Sequence, residues 1–135
     1  MKILVDSDVV LDVLAERQPF HAASAVVWSL SERRQIEGLV SALSISNVYY
    51  ILRKAVGGAR ALESTRLTSR VFSIVAVDSD VVRLALDAAM PDFEDGLQAF
   101  AGVRAGATHM VTRDQRGFVA GPLQVLSPDQ LAEMV

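Results

Sequence analysis

At 135 residues, of which 51% are hydrophobic, the chain is long enough to build a core and too apolar to be disordered. A net charge of −3 excludes general attraction to polyanions, and the absence of cysteine excludes disulfides and thiolate metal sites. The opening stretch MKILVDSDVV does not read as a signal peptide and no apolar run reaches spanning length, so a soluble protein of the reducing cytoplasm, without a membrane partner, is expected.

In chain order, KILVD is a short apolar run ending in an acid and reads as a buried strand. DVVLDVLAE has helical character, and PFHAASAVVWSLSERRQ, with Pro19 at its start, predicts a helix to about Gln35. EGLVSA reads as a second strand. SISNVYYILRKAV is a helix ended by Gly57 and Gly58, and ARALESTRLTSRVF is a helix with one polar face. SIVAV is a third strand, DSDVVRLALDAAM a helix, and DFEDGLQAFAGVRAG a helix closed by Gly106. THMVT is a fourth strand; after a turn come a fifth, LQVLS, and a terminal helix, PDQLAEMV. Short strands alternating with helices predict an α/β fold with a parallel sheet covered on both faces, a three-layer α/β/α sandwich. No linker or low-complexity segment divides the chain, so a single domain over 1–135 is expected. In such sheets ligands bind beyond the carboxyl ends of the strands, where the strand order reverses.

The acids gather at those ends. Asp6 closes the first strand, Asp114 follows HMVTR, and MPDFED puts Asp92, Glu94 and Asp95 at a helix start. Capping alone explains much of the last cluster, because Asp92 after Pro91 is a helix-start signal and Glu94 and Asp95 suit the positive end of the dipole. If the first and fourth strands are neighbours, however, Asp6, Asp95 and Asp114 face one another. Two carboxylates about 4 Å apart repel by roughly 4 kcal/mol at an effective dielectric of 20, so such a cluster calls for protons or a cation. Oxygen ligands without cysteine suit Mg²⁺ or Mn²⁺. VDSDVV occurs at 5–10 and again at 77–82, each time at a strand-to-helix junction, so at least one copy does only structural work.

ILVDSDVVLDVL, then LSISNVYYILRK, then DFEDGLQAFAGVRAGATHMVTRD together resemble the PIN domain family, of the kind found as VapC-type toxins. The resemblance implies a five-stranded parallel sheet, a Mg²⁺-dependent (or Mn²⁺-dependent) ribonuclease acting on an RNA substrate, a cognate antitoxin partner and commonly a homodimer. Carried over residue by residue, Asp6, Asp95 and Asp114 fall on the family's acidic, metal-binding positions, and Asp92 is an additional acid behind them. One position departs: most PIN domains carry Glu where this chain has Asn47, which offers an amide oxygen but no charge. Asp8 stands where the family often has Asn, so some charge has been moved rather than lost.

Other residues carry plainer expectations. Ser7, Asp8, Asp78 and Asp80 read as caps and Asp12 as a solvated helix residue. His21 and His109 read as structural. Arg113 and Arg116 flank Asp114 and are candidates to hold an RNA phosphate. Arg53 and Lys54 end a helix, where the dipole explains them. Two rivals remain. Asp6 and Asp8 also resemble the D-x-D strand end of a haloacid-dehalogenase-type phosphatase, with Asp6 as nucleophile, but that chemistry wants a later cation and the only lysines are Lys2 and Lys54. The other is a PIN-like binding module whose activity faded with the loss of Glu at position 47.

Overall fold

The computed structural model describes residues 1–135. Each strand hands over to a helix through a capping Asp or Ser, and this local rule builds the whole molecule. β1 (Lys2–Val5) passes through Asp6 into α1 (Ser7–Leu14), which is followed by α2 (His21–Glu32). β2 (Glu37–Ser41) ends on Ser41, whose hydroxyl accepts from the Ser44 N–H and opens α3 (Ala42–Val56). Gly57, at φ +86°, takes a backbone conformation few other residues tolerate and separates α3 from α4 (Gly58–Val71). β3 (Ser73–Val75) leads through Asp78 into α5 (Ser79–Ala88), and Asp92 caps α6 (Phe93–Arg104). β4 (His109–Val111) leads through Asp114 into α7 (Gln115–Phe118). β5 (Gln124–Leu126) leads through Ser127 into α8 (Pro128–Met134), where Ser127 and Gln130 form a reciprocal capping box.

The five strands are all parallel, in the order β3-β2-β1-β4-β5. The chain winds outward from β1 to β3, then returns to lay β4 on the other side of β1, so the order reverses between β1 and β4. Leu4 pairs with Leu39 of β2 on one side and Met110 of β4 on the other. Side chains alternate between the two faces as strand geometry requires. Ile3, Val5, Val40, Val111 and Leu126 pack with α1 to α4 and α8, while Leu4, Leu39 and Met110 pack with α5, α6 and Phe118 of α7. Each fully buried aliphatic side chain contributes about 1.5–3 kcal/mol by leaving water. The expected α/β class and covered parallel sheet are therefore present. No helix is long and apolar enough to cross a membrane.

The differences from expectation are local. α2 starts at His21 and stops at Glu32, because Arg34 turns the chain with φ +62° before β2. α7 was not foreseen: a four-residue turn of helix offers too little periodicity to read. Asp12 is fully buried rather than solvated. Its position on α1 looks polar by sequence, but α2 and the segment after β4 close over it.

Candidate functional site: acids at the β1–β4 switch point

Because β1 and β4 are hydrogen-bonded neighbours, the residues following them emerge side by side; the Asp6 N–H donates to the Val111 carbonyl at 3.0 Å. Asp6 is 8% exposed and all its hydrogen bonds are internal. Its Oδ1 accepts from the Ser7 N–H at 2.7 Å and from Gln98 Nε2 at 3.4 Å, and its Oδ2 accepts from Thr112 Oγ1 at 2.8 Å. Burial pushes the Asp6 carboxyl above its ordinary range, and these donors oppose the shift. Gln98 is itself fixed, since its Oε1 accepts from Ser44 Oγ at 2.8 Å and Ser44 in turn bonds to Ser41 at 3.2 Å. A buried polar chain thus runs along the carboxyl edge of the sheet from β2 through α6 to β4.

Asp95 lies in the first turn of α6, and its N–H donates to the Asp92 carboxylate at 2.9 Å. Burial, ahead of the charges of Asp92, Asp6, Asp114 and Glu94, pushes the Asp95 carboxyl up to about 6. Asp114 caps α7 by accepting from the Gly117 N–H at 3.3 Å, and its own N–H donates to Thr112 Oγ1 at 3.0 Å. Gly117 shows how near the last two acids are. A Cβ at that position would stand 2.6 Å from Asp114 Oδ2 and 2.8 Å from Asp95 Oδ2. Two carboxylate oxygens from different helices therefore converge on one point, and only a residue without a side chain leaves it open.

Asp8, on the first turn of α1, faces the same junction. Its Oδ2 accepts from the Arg113 N–H at 3.3 Å, while its Oδ1 is buried with no partner in the protein. Burial first, then the Asp6 charge, pushes Asp8 up to about 7. A buried acceptor without a donor calls for a water or cation. No three Asp, Glu or His side chains close into a complete ligand set. The donors instead comprise a convergent pair, Asp95 and Asp114, with Asp6 alongside and Asp8 Oδ1 unsatisfied. Such a set fits Mg²⁺, or the chemically similar Mn²⁺, because Mg²⁺ takes one or two protein carboxylates and keeps several waters.

The remaining expected residues are placed as follows. Asp92 caps α6. Asn47, on α3, turns its amide nitrogen to Glu94 Oε1 at 2.7 Å, so the engaged group is the donor rather than the amide oxygen. Arg113 is held by Asp12, with Nε 2.8 Å from Oδ2 and Nη2 3.1 Å from Oδ1, and its guanidinium lies 3.8 Å over the Phe20 ring. Arg116 is exposed on α7. His21 and His109 make local hydrogen bonds, to the Asp12 carbonyl and Thr108. Thr112, Gln98 and Gly117 escaped the sequence reading. The D-x-x-G spacing after Asp114 was a usable signal for Gly117, whereas nothing local marks Thr112 or Gln98 as different from core polar residues.

In the second copy of the repeat Asp78 caps α5 as expected, its Oδ1 accepting from the Val81 N–H at 3.0 Å, whereas Asp80 does not cap but pairs with Arg83 and Arg104 on the surface. The phosphatase expectation finds no support. Lys2 begins β1, at the end opposite Asp6, with Nζ on the Ala105 carbonyl at 3.2 Å, and Lys54 ends α3. Asp114 is exposed and Asp95 half-buried, while Asp6 is buried, so the acids run from the surface inward.

Acids drawn from α1, α6 and α7 to the switch point of an all-parallel five-stranded sheet define a doubly wound α/β protein with an acidic site at the carboxyl edge. The chain belongs to the PIN domain family, whose sequence profile matches residues 2–116. It is 25% identical to ribonuclease VapC1 from Aquifex aeolicus, over 98% of this chain and 94% of that protein. Its fold is similar to that of VapC20 from Mycobacterium tuberculosis, a sarcin–ricin loop cleaving toxin, with a TM-score of 0.73 at 15% identity, covering 91% of this chain and 98% of the other. It is also similar to a chain of the DNA-bound VapBC from Salmonella typhimurium, with a TM-score of 0.74 at 12% identity, covering 95% of this chain and 98% of the other.

Proposed function

We propose that this protein is a Mg²⁺- or Mn²⁺-dependent endoribonuclease and the toxin of a type II toxin–antitoxin pair. The observation that carries the reading is the meeting of Asp95 Oδ2 and Asp114 Oδ2 beside Gly117, with the Asp6 charge close enough to raise Asp95. The likeness to ribonuclease VapC1 along nearly the whole chain supports the activity, and the likeness in fold to a chain of a toxin–antitoxin complex from Klebsiella pneumoniae supports an antitoxin partner.

Asp6, Asp95 and Asp114 would hold the ion. With an ion held there, the site would gain Lewis acidity to activate a water and positive charge to offset that of the phosphodiester. The chain's own residues do the rest. Thr112 and Gln98 donate to Asp6 and fix its carboxylate in place. Asn47 holds the Glu94 carboxylate at the rim. Arg116, exposed on α7 two residues after Asp114, would meet a phosphate of the RNA. A second copy of the chain, as a homodimer, belongs to the same reading.

The test is incubation with a panel of defined single-stranded and structured RNAs, with and without EDTA, using wild type and Asp6→Ala. Cleavage by wild type alone, abolished by EDTA, is expected. Cleavage that persists in Asp6→Ala or in EDTA rules out the proposal, and the absence of any cleavage together with retained RNA or antitoxin binding returns the chain to a binding module.

A further inference from the structure

We propose that Asp12 is a positioning residue that sets the acid site through Arg113; the functional part of this inference rests on the metal-dependent reading above. Asp8 and Asp12 are one turn apart on α1 and so share a face. That face meets the segment Thr112-Arg113-Asp114. The segment is fastened residue by residue: Thr112 Oγ1 to Asp6 Oδ2 at 2.8 Å, the Arg113 N–H to Asp8 Oδ2 at 3.3 Å, and the Arg113 guanidinium to both oxygens of Asp12 at 2.8 and 3.1 Å. The next residue is Asp114, which points its Oδ2 at the spot beside Gly117.

The Asp12 carboxylate is fully buried, and Arg113 is the one cation paired with it. A buried ion pair is a poor source of net stability but a strong fixer of geometry, especially when a guanidinium forks onto both oxygens. Ser24 Oγ donates to Asp12 Oδ2 at 3.0 Å from α2, and the Phe20 ring covers the guanidinium face at 3.8 Å. Arg113 can therefore neither swing out nor rotate without abandoning a buried charge. Its side chain is 27% exposed, which leaves little of it for a substrate phosphate. The structure thus assigns Arg113 to Asp12 rather than to a substrate phosphate.

The test compares Asp12→Asn and Arg113→Lys in the full chain, with the double variant. Lysine keeps the charge but cannot bridge both carboxylate oxygens. In the metal-free protein, the Asp114 and Gly117 amides are expected to exchange hydrogen at least about tenfold faster in either variant, while the β1 and β4 amides keep wild-type rates. In cleavage assays kcat is expected to fall at least about tenfold with KM for RNA unchanged, and the double variant to be no worse than the poorer single, as for two halves of one device. Wild-type exchange at Asp114 and Gly117 in folded Asp12→Asn overturns the proposal. So does a lower KM in Asp12→Asn, since a released Arg113 would then be gripping RNA. If Asp12→Asn does not fold, Arg113→Lys decides by the same readouts. Failure of wild type to cleave any RNA removes the functional part alone, because the exchange measurement needs neither metal nor substrate.

Discussion

Thr112 Oγ1 donates to Asp6 Oδ2 at 2.8 Å and accepts from the Asp114 N–H at 3.0 Å, so one buried hydroxyl ties the residue after β1 to the acid that opens α7. It is the shortest hydrogen bond made to any of the three acids on which the site depends, apart from the local one from Ser7. Asp6 itself is immobilised from three elements, with α1, α6 and the end of β4 each supplying a donor.

Replacing Thr112 by Val keeps the shape and removes the hydroxyl. A carboxylate oxygen and a backbone N–H then lose their partner inside the protein, which costs about 1–3 kcal/mol. Urea unfolding should show that loss, with Thr112→Ser restoring most of it, and RNA cleavage should fall in Val and recover in Ser. Equal stability and activity in all three proteins would remove Thr112 from the site.

Asp95→Asn should separate stability from function. The Asp95 carboxyl is raised to about 6 by burial and by the neighbouring acids, so ionising it costs more in the folded protein than in the unfolded chain. A neutral side chain of the same shape should leave Tm in EDTA equal or higher, while cleavage drops by about a hundredfold or more and Mn²⁺ no longer stabilises the fold. For wild type, Mn²⁺ at 100 times its Kd should add about 2.7 kcal/mol. Parallel melts with and without Mn²⁺ read both effects, and a lowered Tm matched by a proportional loss of activity would return Asp95 to a structural role.

Gly117→Ala places a methyl group against two carboxylate oxygens at once. Asp114 is exposed and Asp95 partly so, hence both can swing aside at little cost to folding. The expectation is a nearly unchanged Tm and at least about a tenfold loss of Mn²⁺ affinity by titration calorimetry. Wild-type affinity in this variant would place the ion elsewhere.

The pH dependence of stability carries a definite sign. Asp8 is raised from 3.8 to about 7, mainly by burial. Between those values the folded state retains a proton that the unfolded chain has released, so stability falls as pH rises from about 4 to 7 and levels off above. Asp95 adds a fall over the narrower window up to about 6. In EDTA, denaturation midpoints should decline across this range, and Asp8→Asn should flatten the upper part of the curve. Stability that rises with pH between 5 and 7 would contradict the burial of Asp8.

Much of this was legible in the sequence because β-strands and caps announce themselves locally. The strand-to-helix alternation, the glycine break at 57, and the acids at positions 6, 95 and 114 could all be read in short windows. What escaped depends on pairing across the chain. VDSDVV occurs twice, yet Asp78 caps α5 beside the edge strand β3, while Asp6 at the centre of the sheet is turned toward Thr112 and Gln98. The two windows are identical, and only the strand order separates them. Asp12 was misread for the same reason: its burial is made by Arg113 and Ser24, neither of which its own helix announces. Asn47 and Glu94 lie 47 residues apart, and no periodicity links them.

The span between Asp6 and Thr112 is 106 residues. A ribosome therefore makes Asp6 106 residues ahead of its anchor. Until β4 slots in beside β1, the early aspartate has neither its threonine donor nor Asp114 as a companion. Translation products that stop short of that step carry an unassembled site, so any chemistry done there begins only once β4 has been made and has paired with β1.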